Sequence, residues 1–295
     1  LVAASFQERA NRNIGNLKDS IMKKYALAAA VALSVSGLAS AGEYQFEVNG
    51  LYNESEMGRV DIDTWGIGGT FYLEAVNDSK GPLAEAAFLN KASFINAGYS
   101  DTEIKSRGLG KVDGDAFVIG GEYVIPEGNF ILGASYSNGD IDGLDIKSYG
   151  LTVGKYLNDN TSLRFNYIND DDDLSDTDTD TFELKLHHLT GDINNGMQIG
   201  VDASIGYADT DSRAGDYDAW AFGVGADLYL TRQFSLGAGV QVIAGDKEAK
   251  GDGYDLRAQY FFMPQFAVSL SYSELDLDSA PDDFEGWTIA LTGRF

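Results

Sequence analysis

His187 and His188 are the only two histidines in the chain, and they are adjacent. An imidazole moves protons near neutral pH. Beside a Ser or Asp it can activate a nucleophile. The run around them reads Phe182-Glu183-Leu184-Lys185-Leu186-His187-His188. In an extended strand successive side chains point to opposite faces, so only one imidazole can share a face with Glu183 and Lys185. Counting from Leu184 and Leu186 on the other face, that one is His187. A Glu-Lys-His row reads either as an acid–base site or as a hydrated row of ion pairs. The pattern shows no Ser paired with the His, so the second reading is favoured and no catalytic residue is expected.

The stretch Asp170–Asp180 contains seven Asp. Carboxylate oxygens in such density suit a hard cation such as Ca²⁺. The EF-hand pattern, however, requires Gly at its sixth position, and Asp176-Thr177-Asp178-Thr179-Asp180 is followed by Thr181. A solvated acidic loop is therefore expected, with no specified metal or cofactor site. Further charges recur on one parity of many apolar segments: Glu74, Glu122, Arg164, Glu183, Lys185, Asp202, Asp227, Asp255, Arg257 and Arg294. Unpaired charges on that scale cannot enter a packed apolar core. They are tolerated against water. Glu122, Arg164, Glu183, Lys185, Asp202, Asp227, Asp255 and Arg257 are accordingly expected to line a wet interior.

The elements that must position these residues are strands. The last stretch, Glu285–Phe295, places Trp287, Ile289, Leu291, Gly293 and Phe295 on one parity and Thr288, Ala290, Thr292 and Arg294 on the other. The same period-2 unit recurs back to Glu43. Tyr44, Phe46, Val48 and Tyr52 mark the apolar face of a first strand near Glu43–Asn53, and Trp65, Ile67, Phe71 and Leu73 that of a second near Val60–Ala75. A third strand is expected through Ala84–Ser100, with its parity blurred at Phe88-Leu89 as by a bulge. About fourteen such segments follow one another. Their connectors alternate: tight turns at 126–129, 158–160, 191–196, 231–233 and 264–265, and longer acidic loops at 101–113, 138–143, 170–180, 209–216, 246–253 and 276–284. Short turns on one side, long loops on the other and an even strand count are the rules of an antiparallel up-and-down transmembrane β-barrel. A soluble β-sandwich shares the alternation. Strands of about ten residues, aromatics near strand ends and the outward Phe295 favour the barrel. No stretch reads as a helix long enough to span a membrane or plug the interior.

Composition agrees. The 295 residues include 35 Gly, 4 Pro, 16 Tyr and 16 Phe, and no Cys; disulfide frameworks and thiolate sites are excluded. Mean hydropathy is only −0.19, as expected where every second residue faces lipid. Lys23 and Lys24, the apolar run Ala26–Leu38 and Ala39-Ser40-Ala41 compose a secretory signal peptide over 22–41. Residues 1–21 are expected to be upstream sequence, and 42–295 the mature barrel. That part holds 16 Lys and Arg against 44 Asp and Glu, a net charge of −28, which excludes binding to nucleic acid phosphates.

Around Asp63-Thr64-Trp65-Gly66-Ile67-Gly68-Gly69-Thr70, around Gly81-Pro82-Leu83-Ala84-Glu85-Ala86-Ala87-Phe88-Leu89, and at the opening Glu43-Tyr44-Gln45-Phe46-Glu47-Val48-Asn49, the chain resembles the family of putative general porins of Gram-negative bacteria. The resemblance implies an outer-membrane diffusion channel for ions and small hydrophilic solutes; the acidic loops 170–180, 209–216 and 276–283 at its mouth are expected to give it a moderate preference for cations, set mostly at the mouth. It implies contact with outer-membrane lipid and lipopolysaccharide; weak divalent binding by Asp170–Asp180, bridging to lipopolysaccharide phosphates, is the alternative to a solvated loop there. The closing strand resembles those of bacterial outer-membrane barrels, where a terminal Phe, here Phe295, is the mark read by the barrel assembly machinery. A non-conducting surface barrel, an adhesin or structural protein, is the alternative.

Overall fold

Alternating side chains make each segment extended, and hydrogen bonding to both neighbours then removes every sheet edge. The computed structural model describes residues 43–295 except 107–109, 142–143, 173–176, 194–195, 213–215, 246–249 and 279–281. The expected upstream sequence and signal peptide lie outside the described residues. The strands are β1 (Glu43–Met57), β2 (Val60–Asn77), β3 (Phe94–Ser106), β4 (Gly110–Ile125), β5 (Phe130–Ile141), β6 (Leu144–Asn158), β7 (Thr161–Asp172), β8 (Thr177–Leu189), β9 (Gln198–Ser212), β10 (Tyr217–Thr231), β11 (Phe234–Gly245), β12 (Gly251–Met263), β13 (Phe266–Leu277) and β14 (Phe284–Arg294). Each pairs antiparallel with its sequence neighbours, and β1 pairs with β14, closing a fourteen-stranded barrel.

The apolar parity faces outward. Trp65, Ile67, Leu151, Val240, Leu256, Trp287, Leu291 and Phe295 are among the large apolar side chains left exposed. Aromatics gather in two bands. One joins Tyr52 to Trp65, Tyr136 to Tyr149, Tyr207 to Trp220 and Tyr272 to Trp287 as direct cross-strand neighbours. The other includes Phe71, Tyr123, Phe130, Tyr260, Phe266 and Phe295. From Trp287 to Phe295 the chain takes eight residue-to-residue steps, about 26 Å at ~3.3 Å each. At the usual tilt this is some 20 Å of height, close to the apolar band of an outer-membrane barrel.

Three expectations are corrected. Tyr44 does not join Phe46 on the outer face. Gln45 and Phe46 both donate their backbone N–H to the Phe295 carbonyl, at 2.8 and 2.9 Å; the extra residue of this bulge turns Tyr44 inward, where it is 2% exposed. The third strand starts at Phe94. The preceding Leu83–Glu85 is a 3-10 turn and Ala86–Leu89 a one-turn helix, α1. The acidic loops, thirdly, are mostly strand. β7 runs on to Asp172 and β8 begins at Thr177, so Asp171 faces Asp178 and Asp178 faces Asp211 directly across the sheet. The Pro126–Asn129 turn is as tight as expected, with positive φ at Gly128 (119°) and Asn129 (59°).

Candidate functional site: a charged bore crossed by a strap

The inner face is polar along most of its length, and most of its charges are paired. Arg164 on β7 reaches Glu122 on β4, Nη2 to Oε2 3.2 Å, and donates to the Ser162 hydroxyl at 2.7 Å. Asn166 donates to Glu183 at 3.0 Å while accepting from Thr152 at 2.9 Å. Arg257 on β12 bridges Asp255 at 2.6 Å and Asp227 on β10 at 3.1 Å. Between them lies β11, whose inward positions here are Gly237 and Gly239. A Cβ at Gly237 would meet the Arg257 Nε at 3.0 Å and collide with the Asp227 carboxylate. Two missing side chains therefore let the guanidinium cross a whole strand. Among the described residues no ion pair holds Lys185. Of the two remaining inward candidates, Glu74 is exposed beside the β1–β2 register shift. Arg294 is fully buried, its Nε 2.5 Å from Glu47 across the β1–β14 seam, with the Tyr44 and Phe261 rings over it.

The feature that sequence reasoning missed is the connector 78–93. Leu83 packs on Phe261 and Ala267; Ala86 packs on Tyr44, Tyr72 and Val76; Phe88 packs on Val124, Ile131 and Tyr156. Phe88 also stands edge-on to His187, ring centroids 4.4 Å apart. These contacts include β1, β2, β6, β8 and β12. In a ring of fourteen, β1 and β8 are diametrically opposite, so the segment is a strap across the bore, at the end that carries Phe295. Its ends are tied by polar contacts. Lys91 bonds Asp159 at 2.8 Å and Asn129 at 3.2 Å, and Arg232 donates to the carbonyls of Gly81 and Asp78. Its middle is tied by Glu85, which accepts from the Tyr229 hydroxyl at 2.5 Å and meets His187 Nε2 at 3.1 Å. His187 Nδ1 is 3.0 Å from Asp202. A readable signal existed: Tyr72, Val124, Ile131, Tyr156, Leu189, Tyr229 and Phe261 are apolar or aromatic residues on the parity that elsewhere carries charge, all near one end of their strands, and all are buried.

The two histidines have different surroundings. His187 sits between two carboxylates. His188 is on the other face, 2.8 Å from the Thr161 hydroxyl across β7–β8. Among the described residues no cluster of three or more carboxylate, His or Cys side chains is arranged to hold a metal ion. Of the seven Asp of 170–180, Asp170 and Asp172 share the inward parity of Arg164, whereas Asp171, Asp178 and Asp180 share the outward parity of Phe165 and Phe182.

An exposed apolar belt with aromatic edges, around an interior of hydrated ion pairs, defines an outer-membrane β-barrel of porin type. The model of the family described as putative general bacterial porin matches residues 22–215, and the chain belongs to that family. The barrel is similar to the outer membrane protein Omp33 of Acinetobacter baumannii, with a TM-score of 0.60 and 25% identity over 88% of this chain and 100% of that one. It shares its fold with a bacterial polysaccharide outer membrane secretin, at a TM-score of 0.53 and 11% identity over 86% of this chain and 99% of that one. No match is found among curated protein sequences. The protein is a porin-like channel of the outer membrane, of a family and fold that are typically non-enzymatic.

Proposed function

We propose that the barrel is a passive diffusion channel for ions and small hydrophilic solutes, with a moderate preference for cations and no catalytic role. The observation that carries this reading is the charge inventory of the bore. Glu85, Glu122, Glu183, Asp202, Asp227 and Asp255 stand against three permanent cations, Arg164, Lys185 and Arg257. An acid surplus in a confined aqueous space raises the local cation concentration. Because Asp171, Asp178 and Asp180 turn outward, most of the selectivity is assigned to the bore and less to the rim. The end bearing the strap and Phe295 faces the periplasm in this reading, after export directed by residues 22–41. The acidic strand ends face outward toward lipopolysaccharide, and Phe295 is the mark for the assembly machinery.

The test is the zero-current potential of the refolded chain in a bilayer under a KCl gradient. A cation-selective potential is expected, weakening at about 1 M salt, where the screening length is about 3 Å. Replacing Glu183 and Asp202 by their amides should reduce it more than replacing Asp171, Asp178 and Asp180. Anion preference would refute the charge argument. A second reading, a non-conducting surface barrel, is favoured by one observation, the strap across the bore. Absence of any conductance at all, in protein shown to be folded, would select it.

A further inference from the structure

Resting on the reading of this barrel as a channel, we propose that the bore contains a binding site for an uncharged polyhydroxyl solute the size of a mono- or disaccharide, on the wall formed by β1–β4, β13 and β14. A recess that opens on the lumen lies against that wall. It lies along the strands between the strap contacts at Tyr44 and Tyr72 and an apolar cluster of Val60, Ile62 and Ile104 toward the other end. Its lining contains no charged side chain. The wall is recessed because Gly66, Gly68 and Gly98 occupy inward positions.

The polar groups in this lining differ from those on the charged wall. There, Arg164, Asp202, Asp227 and Arg257 are tied to protein partners. Here, the side chains of Thr70, Asn96, Ser100, Ser269 and Ser271 make no hydrogen bond within the described protein, which leaves their hydroxyl and amide groups to the lumen. Each hydroxyl both donates and accepts, and an amide does both through different atoms, which matches the dual character of a sugar hydroxyl. An ion entering the recess would lose hydration without gaining a counter-charge, a costly exchange; a neutral polyol exchanges water hydrogen bonds for protein ones.

The recess also has a sided edge. Ser271 lies directly opposite Arg257, and Ser269 opposite Gln259. Arg257 carries Asp255 with it at 2.6 Å, which presents a donor and an acceptor side by side for neighbouring hydroxyls. Beside this edge the Gln259 amide nitrogen is buried without a hydrogen-bond partner among the described residues.

The test uses the refolded full chain in detergent micelles, with maltose as probe, potassium gluconate as a charged polyol and glycine as a zwitterion. Saturation-transfer NMR reads binding, and KCl conductance is recorded on the same preparation. Maltose is expected to bind saturably, and gluconate and glycine not. Asn96→Ala with Ser271→Ala should weaken maltose at least fivefold, and the isosteric Asn96→Asp should do so without changing side-chain volume. Heat-modifiable mobility verifies that each variant is folded. A barrel that conducts KCl but binds no maltose overturns the site and leaves the channel standing. Binding that survives both variants, or preference for gluconate or glycine, also overturns it. Maltose binding that meets these criteria in a barrel that never conducts supports the site and removes the channel reading instead.

Discussion

Replacing Glu85 by Ala should loosen the strap without dismantling the barrel. Glu85 is the only acidic side chain of the strap's helical part, and its carboxylate meets the Tyr229 hydroxyl at 2.5 Å and His187 Nε2 at 3.1 Å. Hydrogen bonds involving a charged group contribute roughly 1.5–3 kcal/mol each, so the two together hold the strap by about 3–6 kcal/mol. Each ~1.4 kcal/mol is a factor of ten in a population. The undocked fraction should therefore rise about 10² to 10⁴-fold. The wall is unaffected, since every strand keeps its two hydrogen-bonded neighbours. Single-channel recording should then show longer or larger open events for Glu85→Ala than for the parent chain. Glu85→Gln, which keeps the shape and loses the charge, should fall between them. The thermal transition of heat-modifiable mobility should move little. Traces from Glu85→Ala that match the parent would refute the idea that this carboxylate holds the strap. A collapse of the thermal transition would show instead that it holds the barrel.

Further expectations concern the wall, the rim and the seam. Gly237→Val should separate Arg257 from Asp227 and lower single-channel conductance without reversing the cation preference, because its side chain fills the space the guanidinium crosses and changes no charge. Cys at Asp178 should react with an impermeant maleimide on whole cells, and Cys at Glu127, in the tight turn at the opposite end, should not; the reverse pattern would invert the orientation. Deleting Phe295 removes both its packing on Phe266 and the backbone bonds that fix the bulge at Gln45-Phe46, so outer-membrane levels should drop on immunoblots of membrane fractions. Asp159 lies in the β6–β7 turn, where the hydrogen bond and then the charge of Lys91 hold its carboxyl below the ordinary range. A depressed value in the folded state stabilises above the ordinary carboxylate range, and the contribution is lost as pH falls through the folded value. The difference in open probability between Asp159→Asn and the parent should accordingly persist at pH 7 and disappear as the pH falls through the depressed value of the folded state.

The barrel was legible because its signal is local and repeated. Parity marks the lipid face of β14 from Trp287 to Phe295, and turn residues mark the ends. The strap's own residues were not legible as such, because Leu83–Leu89 is a short apolar run, and such runs do not distinguish strand from helix by periodicity; only its floor left a sequence signal. What makes it a strap is distant: Tyr72, Tyr156, Tyr229 and Phe261 offer an apolar floor only after the sheet has closed. Tyr44 escaped for a smaller reason, since one extra residue in a bulge reverses every parity before it. The acidic segments looked like loops because Asp, Asn and Gly are poor strand formers; a neighbour already held in register carried the pairing past the aromatic band. The luminal charges were found individually, but not their partners. Arg257 reaches Asp227 only because β11 presents glycine between them, and that relation spans three strands.

The strap also bears on how this chain reaches its final shape. It lies near the start of the sequence, between β2 and β3, yet its docking surfaces come from β6, β8, β10 and β12 as well as from β1 and β2. Glu85 is 144 residues from Tyr229, and Arg294 is 247 from Glu47. Neither contact gains anything from local order, so both wait until nearly the whole sheet has been laid down. A strap still outside when β14 meets β1 would have no lateral way in. Seating of the strap is therefore expected late, alongside zipping of the seam, as the curling sheet encloses the segment. The slow event in assembly is thus expected to be sensitive to residues such as Phe88, which belong to neither edge of the seam.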